Sequence, residues 1–164
     1  MRKSSWLIFY LLFIGSLIGV NSWALSQFER ESSLILNRAD TFFRMMKSKD
    51  YRGIWQLLTE QSKSIIIKDV CKFIKKSSGK CDVNIVRSSF KKGKGLARDY
   101  WDAYLRYFNP DIILNQSSWN IKYIHADDAK ITIKYKKAPN PVFLLMKKEN
   151  GSWKVGLAET FFNH

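Results

Sequence analysis

The chain has 164 residues, with 28 Lys and Arg against 14 Asp and Glu for a formal net charge of +14, an apolar fraction of 46% and an aromatic fraction of 15%. So much apolar and aromatic material excludes disorder, and a single long uncharged run excludes a polytopic membrane protein. Eight Gly and three Pro without a recurring period exclude collagen-like and repeat architectures and leave one globular domain.

Arg2 and Lys3 precede an uncharged stretch from Ser4 to Gln27 whose core, Trp6 to Val20, is rich in Leu, Ile and Phe. Ser22 and Ala24 then supply the small residues of a processing site, which is the layout of a secretory signal peptide over residues 1–24. The competing reading is an uncleaved membrane anchor, because about 20 apolar residues span a bilayer core. Either way the positive-inside rule leaves the cationic end in the cytoplasm and carries the domain, residues 25–164, across the membrane. The expected location is therefore periplasmic or secreted, or inner-membrane anchored with the domain outside the cytoplasm. No Cys lies near Ala24, which argues against a bacterial lipoprotein. Without residues 1–24 the chain still carries 26 basic and 14 acidic residues, so the charge belongs to the domain.

From Gln27 to Lys47 the residues Ile35, Ala39, Phe42, Phe43 and Met46 recur at helical spacing, with Arg38, Asp40, Arg44 and Lys47 mostly elsewhere, which predicts a long amphipathic helix. Asp50 is placed to cap a second helix whose apolar face is Tyr51, Ile54, Trp55 and Leu58 and which ends near Thr59. Ser62 to Lys76 repeats the pattern, with Ile66, Val70, Phe73 and Ile74 nearly opposite Lys68, Lys72, Lys75 and Lys76. Ser77-Ser78-Gly79-Lys80 breaks that helix, and Cys81 to Phe90 fits a short strand as well as a helix. Lys91-Lys92-Gly93-Lys94-Gly95 reads as a flexible basic loop. Leu96, Tyr100, Trp101, Tyr104, Leu105 and Phe108 then form an aromatic helical face that stops before Pro110.

From Ser118 the period changes to two. Trp119, Ile121 and Tyr123, then Ile131, Ile133 and Tyr135, then Val142 to Met146, then Trp153, Val155 and Leu157 predict four strands. Their turns fall at His125 to Asp128, at Ala138 to Pro141, and at Asn150-Gly151, a two-residue hairpin signal. Helices first and an antiparallel meander afterward predict an α+β domain with the helices on one sheet face.

The strings ADTFFRMMKSKDYRGIWQLLTEQSK, DAKITIKYK and FLLMKKENGSWKVGLAETFF resemble the nuclear transport factor two-like superfamily, in its paired opening helices and its closing hairpin. The resemblance implies a cone-shaped α+β domain of a kind common among exported bacterial proteins. Residues 61–117 depart from it, being longer and more helical than the family pattern. Because that scaffold hosts enzymes, small-molecule carriers and assembly proteins alike, the resemblance implies a fold but no activity.

Charge is the most informative feature. Residues 61–100 hold 11 basic and 3 acidic residues, a net +8 of the +12 carried by residues 25–164. Lys68, Lys72, Lys75, Lys76, Lys91, Lys92 and Lys94 are the expected core of an anion-binding face, with Lys63, Lys80, Arg87 and Arg98 beside them. Such a face suits anionic lipid, lipopolysaccharide or an acidic protein; the plain alternative is a solvated helix face with no partner. Export argues against nucleic acid, as does the placing of the aromatics on a core face instead of among the lysines.

Tyr100, Trp101, Tyr104, Trp119 and Tyr123 are candidate cavity-lining residues, against the alternative that they simply fill the core. Cys71 and Cys81 are the only cysteines, and export favours a disulfide over two buried thiols, closing a loop worth about 2–3 kcal/mol. With only His125 and His164 besides, no metal site and no cofactor are expected. His125 with Asp127 and Asp128, and Asp99 or Asp102 beside Tyr100, are the best general acid or base candidates, but no nucleophile elbow, phosphate loop or triad order accompanies them. The reading that follows is an exported, non-catalytic binding module acting through its basic middle segment. The alternatives are a small hydrolase or isomerase using the cone interior, and a bitopic assembly subunit of a secretion machine held by an uncleaved anchor.

Overall fold

The structure, a computed structural model, describes residues 5–161, with side chains from Trp23 onward. Arg2 and Lys3 of the expected leader, and the side chains of its apolar core, lie outside the described residues. Among the described residues no helix is long and apolar enough to cross a membrane. The chain divides into two compact units, residues 1–34 and 35–164. The first is helical from Ser5 onward, part of α1 (Ser5–Ser48), and exposes Trp23, Leu25, Phe28 and Leu34.

The second unit begins with the rest of α1, where Ile35, Ala39, Phe42, Phe43 and Met46 are all buried, as their spacing predicts. Asp50 caps α2 (Tyr51–Leu57), its carboxylate accepting from the Gly53 N–H at 2.9 Å. A Cβ at Gly53 would meet that carboxylate and, at 2.6 Å, Met45 Sδ, so a side chain there would displace the cap or Met45. Thr59 caps α3 (Glu60–Ser78), accepting from the Ser62 N–H at 3.0 Å, and Gly79 ends it at φ 80°.

The segment left open between strand and helix is α4 (Val83–Lys92). Asp82 decides it, accepting from the N–H groups of Asn84 and Ile85 at 2.8 and 3.3 Å. Val86 and Phe90, one turn apart, enter the core, where Phe90 meets Trp55 and Tyr100 at ring centroids of 4.9 and 5.5 Å. Val83 and Ile85, which suggested a strand, are exposed.

α5 (Leu96–Leu105) carries the aromatic face, and Pro110 opens a further helix, α6 (Pro110–Gln116), with Asn109 as its cap. The sequence reading did not include α6; Pro at the first helical position loses no hydrogen bond, so it starts a helix as readily as it stops one.

The sheet is β1 (Ser117–His125), β2 (Asp128–Tyr135), β3 (Val142–Glu149) and β4 (Ser152–Gly156), antiparallel in the order β1-β2-β3-β4. Asn150 and Gly151 both take positive φ in the last turn, as a tight hairpin requires. Ala129, Ile131, Ile133, Leu144, Met146, Trp153 and Val155 are buried in one core with the helices. The chain is thus an α+β fold. Two details differ from expectation. A register shift between Ile121 and Tyr123 breaks the alternation of β1, and the chain leaves the sheet after Gly156, so Leu157 opens a short helix, α7 (Leu157–Phe161), instead of extending a strand.

Candidate functional site

Helix α3 presents its residues to its surroundings in alternating pairs. Ile67 and Lys68, Cys71 and Lys72, and Lys75 and Lys76 are successive turns of one stripe, which Ser64 begins. Opposite this stripe stand Val83 and Arg87, one turn apart on α4. Between the two helices lies a groove of about 640 Å³. The Cys71–Cys81 disulfide, with Cα atoms 5.4 Å apart, ties the middle of α3 to the segment just before α4.

The rim is cationic and the floor apolar. Lys68, Lys72, Lys75, Lys76 and Arg87 are exposed around Ile67, Cys71 and Val83, and no carboxylate lines the groove. None of the five cations makes an ion pair among the described residues. Elsewhere in the basic segment Lys63 pairs with Glu60 at 2.6 Å and Arg98 with Asp99 at 3.6 Å, which leaves those two less available to an outside anion. Five unpaired cations on one concavity raise the local concentration of anions by adding their fields over a low-dielectric floor.

The structure brings together four of the seven expected lysines: Lys68, Lys72, Lys75 and Lys76. Lys91 and Lys92 are exposed in the last turn of α4, where positive charge complements the helix dipole, and Lys94 is exposed in the loop after it; none of these three borders the groove. Sequence reasoning kept Arg87 at the margin and missed the floor. The signal was present in the four-residue spacing of Val83 and Arg87, but only a helical reading of residues 83–92 uses it.

The other side of α3 is different in kind. Val70, Phe73 and Ile74 face Leu96, Tyr100 and Ala103 of α5 across a groove of about 400 Å³ that has Asp69 and Asp99 as its charged residues. Phe73, expected on the buried face, is 74% exposed there.

Of the five candidate cavity residues only Tyr100 borders this second groove. Trp101 is fully buried, Tyr104 packs between Trp101 and Phe108, and Trp119 is edge-on to Phe43 with its Nε1 donating to the Ile113 carbonyl at 3.0 Å. The β1 register shift accompanies the exposure of Tyr123, which is 40% exposed beneath Lys130. These side chains make core and surface, not the lining of one site.

The acid and base candidates separate likewise. His125, Asp127 and Asp128 are exposed around the first hairpin turn, where Asp128 reaches Lys147 at 3.9 Å. Asp102 accepts from the Tyr51 hydroxyl and from Lys49 Nζ, and these hydrogen bonds hold its carboxyl below the ordinary range. A carboxylate stabilised in that way is a poor proton acceptor.

Sequence reasoning also missed a buried polar cluster. Glu159, 9% exposed, accepts from Thr59 Oγ1 at 2.5 Å and from Ser62 Oγ, while Ser62 Oγ accepts from the Ala158 N–H at 3.0 Å. Both hydroxyls are occupied in fastening α7 to the start of α3, so the cluster is a clamp and not a nucleophile with its base. Its partners lie about a hundred positions apart, and no local pattern links them. Among the described residues no group of His, Cys, Asp and Glu is placed to hold a metal ion.

Comparison with protein-family models, with curated proteins and with solved structures gives no match for this chain.

Proposed function

We propose that this protein is an exported, non-catalytic binding module that holds anionic envelope components, lipid or lipopolysaccharide, in the groove between α3 and α4. The observation that carries the reading is the groove itself: five cations on one concavity, without a carboxylate among them or paired to them. Basic side chains that serve only solubility are ordinarily interspersed with acids, as Arg44, Lys47 and Lys49 are with Asp40, Asp111 and Asp102 in this same chain. The leader at residues 1–24 supports an extracytoplasmic location, and with it a supply of anionic lipid surface. The resemblance to the nuclear transport factor two-like superfamily belongs to the same proposal, on the strength of the opening helices and the meander closing at Asn150-Gly151.

The test is co-sedimentation with neutral and with anionic vesicles at about 50 mM and 500 mM salt, a range over which exposed charge is progressively screened. Residues 25–164 are suitable beside the full chain, because every core residue among those described lies within them. Binding to anionic vesicles at low salt, lost at high salt and lost when Lys68, Lys72, Lys75 and Lys76 are replaced by Glu, is the expected result. Equal binding by that variant would refute the proposal.

A further inference from the structure

Attraction of anions explains the rim of the α3–α4 groove but not its floor. Ile67 and Cys71 lie beneath the charges but show only 3% and 6% of their surface, so Val83, 46% exposed, is the residue of the floor that is open to a ligand. The methylene stems of the surrounding lysines extend that apolar ground while their ammonium groups stand in water. The volume, about 640 Å³, falls within the roughly 300–1,000 Å³ typical of small-molecule sites.

We infer that the α3–α4 groove binds a single-chain amphiphile with a phosphate head, the alkyl chain lying over Val83 and the lysine stems and the phosphate held by Arg87 with Lys72 and its neighbours. This deepens the proposed function and rests on it. Arg87 suits the phosphate because its planar fork donates two parallel hydrogen bonds to two oxygens, while the lysines act as point charges around it. The groove on the other side of α3 provides the internal contrast: it is apolar too, but Asp69 and Asp99 repel an anionic head.

The experiment measures dissociation constants for inorganic phosphate and for butyl, octyl and decyl phosphate below their micelle-forming concentrations, using the full chain and residues 25–164. Each methylene that reaches the floor is expected to tighten binding about fourfold. Val83→Asn, at an exposed position that leaves the core intact, is expected to weaken decyl phosphate about tenfold and leave inorganic phosphate unchanged. Phe73→Ser, in the other groove, is expected to change neither. Equal affinity at every chain length, with salt-sensitive vesicle binding retained, would overturn the amphiphile site and leave the basic groove standing. Failure of both phosphates and anionic vesicles to bind would overturn the two readings together. A chain-length effect lost in Phe73→Ser but kept in Val83→Asn would place the chain in the wrong groove and overturn the inference as well.

Discussion

The two sides of α3 are built from the same helix, two residues out of phase, and they are opposites. Toward α4 the pairs at 67–68, 71–72 and 75–76 each put one apolar residue or cysteine, or a second lysine, beside a lysine; toward α5 the pairs at 69–70 and 73–74 put Val70, Phe73 and Ile74 beside a single carboxylate. One side is cationic and fastened by a covalent bond, the other apolar and open, with Phe73 74% exposed. A two-residue step on a helix is a rotation of about 200°, so a sequence that alternates character every second residue divides its helix into two surfaces. The lesson is that this basic segment is not uniformly basic: its charge is displayed on one side.

The largest effect expected from that contrast is electrostatic. Reversing Lys68, Lys72, Lys75 and Lys76 to Glu removes at least four attractive contacts worth about 1 kcal/mol each, so anionic vesicle affinity at low salt falls by roughly 10³-fold or more. Replacing Asp69 and Asp99 by Asn, on the other side, leaves it within about twofold, near the limit of a surface charge effect. Loss of affinity in the second variant would erase the distinction between the sides.

Packing on the α5 side is tested at Trp101, which is fully buried with its Nε1 lacking a hydrogen-bond partner among the described residues. Trp101→Ala is expected to destabilise the domain by about 3–5 kcal/mol in urea unfolding. Trp101→Phe is expected to cost much less, because it keeps most of the ring and removes an unpaired buried donor. On the α4 side, the Cys71→Ser/Cys81→Ser double variant is expected to cost about 2–3 kcal/mol, with faster amide exchange concentrated in residues 71–92. Exchange that rises evenly through the sheet instead would mean that the disulfide serves the whole core and not the groove.

The smallest effect is a pH dependence that belongs to the α5 side. Burial pushes the Tyr100 phenol up strongly and the Tyr104 phenol up to about 12. A phenol raised in the folded state contributes stability that is fully present below its unfolded value of about 10 and lost as pH climbs through the folded value. Circular dichroism and phenolate absorbance recorded from about pH 9 upward should show unfolding and tyrosine ionisation advancing together above about pH 10. Tyr104→Phe should shift that loss to higher pH. Smooth phenolate formation with the fold intact would show that these rings are more accessible than their packing indicates.

What the amino-acid sequence determined by itself was everything that depends on near neighbours along the chain. The 3.6-residue period of Ile35, Ala39, Phe42, Phe43 and Met46 placed the core face of α1, and the two-residue period after Ser118 placed four strands. Asp50 before an apolar run and Asn150-Gly151 between two strands each specify a local backbone geometry, and each behaved as such. The Cys71–Cys81 bond, expected if the chain is exported, is formed. Tertiary structure alone decided the rest. Residues 83–92 form a helix where the Asp82 cap is joined by the burial of Val86 and by Phe90 meeting Trp55 and Tyr100, partners that the local pattern does not contain. Tyr123 became a surface residue alongside a register shift between β1 and β2. Glu159 acquired its role from Thr59 and Ser62 about a hundred positions away. The groove, too, needs two helices at once: Lys68 to Lys76 supply a charged stripe, but a concavity with a floor exists only when Val83 and Arg87 are brought against it.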